Sequence, residues 1–156
     1  MKFPAYPRTK PSGVEWLREV PEHWERTRLR EVVKLVNGYP FEAELFGRGE
    51  GFPLVRIRDI FSVTTEVVWT GDWLRPAEIS NGDILIGMDG EFNVAWWRGG
   101  RALLNQRVCC LRAKEGHIDQ RYLFYFLPFP LTQLNDVTYS TTVKHLSSLD
   151  VMRFGL

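Results

Sequence analysis

The sequence predicts an α+β domain with a strand-rich centre and helices near its two ends. Five segments between residues 53 and 112 are rich in β-branched and aromatic side chains and are bounded by Gly, Asp or Asn. Helical spacing of apolar residues occurs before and after these segments. At 156 residues with 44% hydrophobic side chains, the chain is long enough to bury one core.

The first thirteen residues are rich in proline and predict an extended arm, followed by a single domain over residues 14–156. The arm is basic but lacks the apolar stretch of a signal peptide. No apolar run approaches the roughly 20 residues that a membrane span needs. We therefore expect no membrane association and a cytoplasmic location.

A short helix near the N-terminus is predicted from Ser12 and Glu15, which have the spacing of a capping box. We expect it to run through Leu17 and to end at Pro21. Residues 24–29 are compatible with a short strand. Helical spacing then returns until Asn37-Gly38, with apolar residues at Leu29, Val32, Val33 and Val36.

The central strands are predicted at residues 53–60, 66–69, 83–88, 92–97 and 102–112. Gly82-Asp83 predicts a tight turn that leads into a buried strand, since neither a G-x-G-x-x-G spacing nor a Walker lysine follows. Asp89-Gly90 predicts a hairpin turn. Asp119 is expected to cap a helix over residues 120–127 that Pro128 and Pro130 end. A second short helix over 131–135 and a strand or extended loop over 138–146 follow.

The chain has two cysteines, Cys109 and Cys110, which are adjacent. Neighbouring strand residues point to opposite faces, so a disulfide between them would be strained. We expect reduced, buried thiols, with a redox switch as the alternative. The three histidines lie far apart and indicate no metal site.

The net charge of +1 does not by itself predict nucleic-acid binding, but the charges are unevenly distributed. Residues 1–34 carry +3, residues 35–92 carry −6 and residues 93–156 carry +4. Between residues 98 and 114 there is no acidic residue, while Arg and Lys occupy positions 98, 101, 107, 112 and 114. This stretch is compatible with a solvated strand face or with a patch that contacts phosphates.

Catalytic patterns are weak. Asp83, Asp89 and Glu91 are the strongest candidates for a metal-dependent nuclease, but no lysine follows at short range. Ser140 or Ser147 near His145 would need a nucleophile motif such as G-x-S-x-G, which is absent. We therefore expect no catalytic and no metal-binding residues.

Two polar segments are candidates for binding. Asn105, Gln106 and Arg107 have side chains that can bond to base edges in the major groove, or Asn105 and Gln106 can satisfy backbone groups at a strand edge. Residues 140–146 combine hydroxyls with Lys144 and His145. They are compatible with phosphate contacts or with a capped loop.

An ordered series of segments resembles the specificity subunits of type I restriction–modification systems. The series comprises PSGVEWL (11–17), VPEHW (20–24), NGYPF (37–41), PLVRIRDI (53–60), GDILIGMDG with FN (82–90 and 92–93), LNQRV (104–108) and TVKHL (142–146). Each segment is weak alone, but together they cover nearly the whole chain.

The resemblance implies a target-recognition domain that reads one half of a bipartite site in double-stranded DNA. It implies that methylation and cleavage belong to the methyltransferase and restriction subunits, which would hold S-adenosylmethionine, ATP and Mg²⁺, so that this chain needs no cofactor. Candidate DNA contacts are Asn93, Arg98, Arg101, Arg107, Thr141, Thr142, Lys144 and His145. The motif residues with an expected structural role are Asn37, Gly38, Asp83, Asn105 and Gln106.

Members of that family usually continue into a long spacer helix and a second recognition domain, whereas this sequence stops at Leu156. The long spacer helix is therefore expected to be absent, and a half-subunit, a gene remnant and a truncated product all remain open. The alternative function is a module that docks a methyltransferase subunit without reading DNA. The sequence specifies neither the DNA target nor the oligomeric state.

Overall fold

A computed structural model describes residues 5–14, 17–137 and 145–156. These residues form eleven strands, four α-helices and two 3-10 helices. The strands are β1 (Thr9–Val14), β2 (Leu17–Pro21), β3 (Val33–Asn37), β4 (Phe46–Gly47), β5 (Phe52–Val55), β6 (Val67–Trp69), β7 (Glu78–Ile79), β8 (Ile84–Gly87), β9 (Val94–Trp96), β10 (Ala102–Leu104) and β11 (Val108–Ala113). The helices are α1 (Leu29–Val32), α2 (Gln120–Phe126), α3 (Pro128–Val137) and α4 (Ser148–Met152), with 3-10 turns at Ala43–Leu45 and Arg75–Ala77.

The N-terminal segment is a β-hairpin. β1 pairs with β2 in antiparallel register, and Thr9 Oγ1 donates a hydrogen bond to Glu19 Oε2 at 2.8 Å. The predicted helix from Ser12 is wrong, because Ser12 lies within β1. Gly13 adopts a φ of 71°, which a right-handed helix does not allow. The hairpin also crosses the boundary that we predicted between an arm ending at residue 13 and the domain.

Residues 24–37 were predicted to form a strand followed by a helix, but they form a helical turn followed by a strand. The expected strand at 24–29 is not formed, and the helical spacing from Leu29 yields a single turn, α1, before the chain becomes strand β3. Every residue of β3 is paired with β11, from Val33 with Ala113 to Asn37 with Cys109. These backbone bonds replace the helical ones, and the β-branched valines are compatible with a strand.

A four-stranded antiparallel sheet forms the middle layer, in the order β3-β11-β8-β9. Successive side chains of β11 point alternately to the two faces of this sheet. Cys109 and Leu111 pack into a core beneath the four helices, whereas Val108 and Cys110 pack into a second core on the other side. The two cysteines are free and buried on opposite faces, as the sequence predicted.

The second sheet has five strands in the order β4-β6-β5-β10-β7, with β5 and β10 parallel. It faces the second core and carries a third cluster on its outer side, which contains Phe41, Leu54, Trp69, Ala77 and Leu103. The strand predicted at 102–112 is in fact two strands, β10 and β11, which belong to different sheets. The strand predicted at 53–60 ends at Val55, because the buried Asp59 carboxylate accepts a hydrogen bond from the Arg56 backbone and closes a turn.

Three helices cover the outer face of the four-stranded sheet near the C-terminus. The predicted cap of α2 is confirmed, since Asp119 Oδ1 accepts from the backbone of Arg121 at 2.7 Å and of Tyr122 at 3.1 Å. Pro128 does not end helical structure but begins α3, because proline fits the first turn of a helix. The helix predicted at 131–135 lies inside α3. The extended segment predicted at 138–146 lies mostly outside the described residues.

The last helix, α4, was not predicted. Ser147 and Asp150 form its capping box. Helices α1, α2, α3 and α4 are all short, and none of the helices in the described part of the chain is long and apolar enough to cross a membrane.

Candidate nucleic-acid interface

The turn between β8 and β9 brings three separate segments together. Asp89-Gly90 forms the predicted turn, with Gly90 at a φ of 76°. The Asp89 carboxylate lies 2.7 Å from His145 Nδ1 and 3.5 Å from an Arg107 guanidinium nitrogen. One carboxylate thus aligns two cationic or potentially cationic side chains that are 38 residues apart in the chain.

Backbone bonds hold these side chains in place. The Met88 N–H donates to the Arg107 carbonyl at 3.0 Å, and the Leu146 N–H donates to the Met88 carbonyl at 2.8 Å. The Asn93 carbonyl accepts from the Gly87 N–H at 2.9 Å and closes the hairpin, while its side chain is exposed. Arg107 and His145 are each about half exposed, at 53% and 54%. We call Asn93, Arg107 and His145 the turn cluster.

Two of the other predicted contacts, Arg98 and Arg101, lie at the opposite end of the same hairpin. Arg98 is exposed and follows Trp97, whose N–H donates to the Asp83 carbonyl at 2.9 Å. At about 3.3 Å per residue, the extended chain separates Arg98 from Asn93 by roughly 16 Å. The structure therefore divides the described members of the predicted set into two groups rather than one patch.

Arg101 is already engaged by an acidic partner. Its guanidinium donates to both carboxylate oxygens of Glu78, at 3.0 and 3.1 Å, and stacks 4.6 Å above the ring of Trp73. The hydrogen bonds from Arg101 and from the Trp73 indole hold the pKa of Glu78 below its usual value. A phosphate would compete with Glu78 for this arginine.

The basic stretch between residues 98 and 114 does not form a single face. Arg112 donates to both oxygens of Asp83 at 2.7 Å and to the Glu78 carbonyl at 2.8 Å. Lys114 turns to the other side of β11, towards α1, where its ammonium donates to the carbonyl of Glu31 at 2.8 Å. Both lie on the same strand end as β11 leaves the sheet, yet they serve different neighbours.

Two of the sequence motifs meet at one backbone junction. Gly38 donates to the Val108 carbonyl at 3.1 Å, and Tyr39 donates to the Leu104 carbonyl at 2.8 Å. A Cβ on Gly38 would overlap the backbone carbonyl of Asn105. Gln106 in turn donates its backbone N–H to the Tyr39 carbonyl at 3.0 Å. The motifs around residues 37–41 and 104–108 are thus in direct backbone contact. Glycine is needed at position 38 because the two backbone segments approach each other too closely for a Cβ atom.

Asp83 makes its contacts within the fold. It is only 5% exposed, accepts from the Ser80 backbone at 2.8 Å and binds Arg112. Asn37 is paired with Cys109 in the sheet. Asn105 donates its backbone N–H to the Val55 carbonyl at 2.9 Å, and so links the motif at 104–108 to the strand of the motif at 53–60.

The catalytic alternatives lose support in this geometry. Asp83 and Asp89 lie at opposite ends of β8, and the described residues contain no group of three His, Cys, Asp or Glu side chains placed to hold a metal ion. Ser147 is used as the cap of α4, where its hydroxyl donates to Asp150 at 2.7 Å. Burial raises the pKa of Cys109 to about 12, so its thiol is not a nucleophile at neutral pH.

Comparison with known proteins decides the family. The family model described as "Type I restriction modification DNA specificity domain" matches residues 21–155. The chain belongs to this family. It is 36% identical over 142 residues to the type I restriction enzyme EcoBI specificity subunit of Escherichia coli, an alignment that covers 87% of this chain and 29% of that subunit. The specificity domain thus spans less than a third of the length of this relative.

Solved structures share the fold. A chain from a study of type I R-M complex assembly and conformational transition superposes with a TM-score of 0.74 at 16% identity, covering 95% of this chain and 36% of the other. The HsdS subunit from Thermoanaerobacter tengcongensis gives 0.72 at 16% identity, covering 94% of this chain and 35% of that subunit. The type I S subunit from M. genitalium gives a TM-score of 0.61 at 14% identity, covering 85% of this chain and 33% of that subunit.

The specificity domain carries one surface feature that the sequence reasoning missed. Residues 56–66 form a loop in which the buried Asp59 binds Arg56 and accepts from the Glu66 backbone at 3.4 Å. Phe61 and Val63 project from this loop with 70% and 63% of their surface exposed. The sequence offered a signal, because Asp59 follows Arg56 at turn spacing, but the apolar pattern favoured a continuous strand.

Thr141, Thr142 and Lys144 lie outside the described residues. Their contacts with DNA stay predictions. His145 is the first described residue of that segment, and its position beside Asp89 places the end of the segment at the turn cluster.

Proposed function

We propose that this specificity domain recognises a short sequence in double-stranded DNA without catalysing a reaction, and that it reads one half of a bipartite site. Family membership supports this proposal. The observation that carries it within the molecule is the turn cluster, where exposed Asn93, Arg107 and His145 are supported by a rigid sheet.

The side chains of the turn cluster have the chemistry of base readout. Arginine can donate two parallel hydrogen bonds to a guanine edge, and asparagine can pair with an adenine edge. Asp89 lies beside Arg107 and orients the guanidinium before DNA binds. A preoriented side chain loses less conformational entropy on binding, which favours selective contacts.

Phosphate contacts are proposed for Arg98, Arg101, Thr141, Thr142 and Lys144. Such contacts supply affinity and fix the position of the protein on the duplex without reading sequence. Arg98 is exposed, whereas Arg101 would have to leave Glu78. We therefore rank Arg98 above Arg101 as a phosphate contact.

We further propose that the domain acts together with the DNA methyltransferase and restriction subunits of a type I system, in the cytoplasm. S-adenosylmethionine, ATP and Mg²⁺ would be held by those subunits, and this chain would hold no cofactor. The pairing of Asp83 with Arg112 and of Asp89 with His145 supports this division, because both carboxylates are already hydrogen-bonded to side chains of the protein.

The test is selection of duplexes from a random-sequence DNA pool by the purified chain at near-physiological salt. We expect enrichment of one short motif. Arg107→Ala should lose preference at one position of that motif, by about 1–3 kcal/mol. Arg48→Ala is the matched control, because Arg48 is an exposed arginine that follows β4 in the five-stranded sheet and is not part of the turn cluster.

No enrichment from a folded chain would contradict sequence reading and would favour a docking role. Uniform weakening on all sequences by Arg107→Ala would also contradict its role in base readout. That result would make Arg107 a phosphate contact instead.

A further inference from the structure

A cleft lined by arginines lies at the end of the four-stranded sheet that is remote from the turn cluster. Its volume is about 730 Å³. It is lined by Arg26, Arg28, Arg30, Arg153, Thr27, Glu31 and Gly155. We call it the arginine cleft. It shares no residue with the turn cluster.

The fold builds this cleft by joining the segment around α1 to the last residues of the chain. The Thr27 and Leu156 backbones exchange hydrogen bonds of 3.3 and 2.9 Å, and Leu29 donates to the Phe154 carbonyl at 2.9 Å. Arg28 and Gly155 form an antiparallel bridge between these bonds. Arg153 is thereby fixed next to three arginines that precede it by more than 120 residues.

The positive charge in the cleft is only partly neutralised. The lining carries four arginines and one carboxylate, Glu31, which lies 3.8 Å from the Arg30 guanidinium. Arg153 lies 3.6 Å from the carboxylate of Asp150, so two of the four arginines have an acidic neighbour. The Lys114 ammonium adds a fifth cation, because it donates to the Arg30 and Glu31 carbonyls at 3.3 and 2.8 Å. Like charges that line one cleft repel one another, so an anion bound there would relieve the repulsion.

We propose that the arginine cleft binds phosphates of double-stranded DNA independently of sequence, as a second contact in addition to the turn cluster. This inference rests on the proposed function. Guanidinium groups match phosphate oxygens with two parallel hydrogen bonds. Within the described residues the lining contains no apolar side chain, whereas the centre of a protein interface is apolar, and this favours a nucleic acid over an acidic protein partner.

The two surfaces are separated by about the length of one strand. Strand β11 separates them, with Arg107 before its first residue and Lys114 after its last. Its six residues span roughly 20 Å at about 3.3 Å each. That length corresponds to about six base-pair steps of ~3.4 Å.

The test compares Arg28→Ala/Arg30→Ala with the matched control Arg48→Ala/Arg75→Ala in the full chain, using a random-sequence duplex over a range of salt concentrations. Each variant removes two exposed arginines, and the control pair lies beside the five-stranded sheet. Loss of two phosphate contacts should reduce the slope of log K against log salt by about 2. The control should keep the slope of the original chain, and so should Arg28→Lys/Arg30→Lys, which retains both charges.

An unchanged slope in Arg28→Ala/Arg30→Ala, with an unchanged melting temperature, would overturn the inference and favour an acidic protein partner. The same holds if the original chain binds no duplex at all. If the chain binds random duplex but selects no motif, sequence reading fails. The salt slopes then still decide whether the arginine cleft contacts phosphate.

Discussion

The close approach at Gly38 makes a quantitative prediction about stability. In Gly38→Ala, the new methyl group would overlap the Asn105 carbonyl and would lie 2.7 Å from the Val108 carbonyl oxygen. Both are backbone groups: Asn105 directly follows β10, and Val108 is the first residue of β11. The overlap can therefore be relieved only by moving the backbone of one of these segments.

The cost follows from what must move. Moving the two backbone segments apart lengthens the Gly38–Val108 and Tyr39–Leu104 hydrogen bonds, which contribute about 1 kcal/mol each to stability. Overpacking typically costs a further ~1–3 kcal/mol. The expected loss is about 3–5 kcal/mol, or roughly 6–20 °C in melting temperature for a domain of this size.

The assay is thermal and urea unfolding followed by circular dichroism, with Gly49→Ala as the control. A methyl group added to Gly49 would meet no described atom within 4 Å, and the φ of Gly49 is not positive, so alanine should be tolerated there. Equal stability of the two variants would refute the steric argument. It would also leave Gly38 available for a role in binding.

The remaining predictions concern buried polar groups, a cap and the thiols. Asp83→Asn removes the charge that pairs with Arg112 and should lower the free energy of unfolding in urea by about 2 kcal/mol. The cost is limited because Arg112 is partly exposed and regains some water. An unchanged urea midpoint would contradict this prediction. Asp119→Ala should cost about 1 kcal/mol through loss of the α2 cap, seen as a lower midpoint and less helical signal at 222 nm. Burial raises the pKa of Cys109 to about 12 from an ordinary 9.0, and also raises that of Cys110, so the folded chain holds both protons more tightly than the unfolded one. The contribution of the thiols to stability should be complete below pH 9.0 and should fall above it by about 1.4 kcal/mol per pH unit for each thiol. If the free energy of unfolding of a Cys109→Ala/Cys110→Ala chain falls equally steeply with pH, other groups cause the fall.

Local signals in the sequence were sufficient to predict structure where one short segment contains both partners of an interaction. The Asp119 cap and the Asp89-Gly90 turn are confirmed because each depends on bonds within a few residues. The placement of Cys109 and Cys110 on opposite faces is confirmed for the same reason, since side chains of a strand alternate by geometry.

The sequence failed where a distant strand competes for the backbone. Ser12 has the local pattern of a helix cap, but the segment pairs with β2 instead. Val33 and Val36 continue a helical spacing, but β11 supplies hydrogen bonds that make the segment a strand. Residues 102–112 look like one strand, and only the packing of two sheets divides them at the turn.

The sequence by itself determined that the chain forms an α+β domain with buried thiols, and its ordered motifs predicted the family. Only the tertiary structure decided which polar side chains share a surface. Asp89 joins Arg107 to His145, and Arg153 joins the arginines of residues 26–30, across separations in the chain that no local pattern spans. The physical reason is that charge and hydrogen bonding act over a few ångströms in space, whereas sequence spacing reports only neighbours within the same strand or helix.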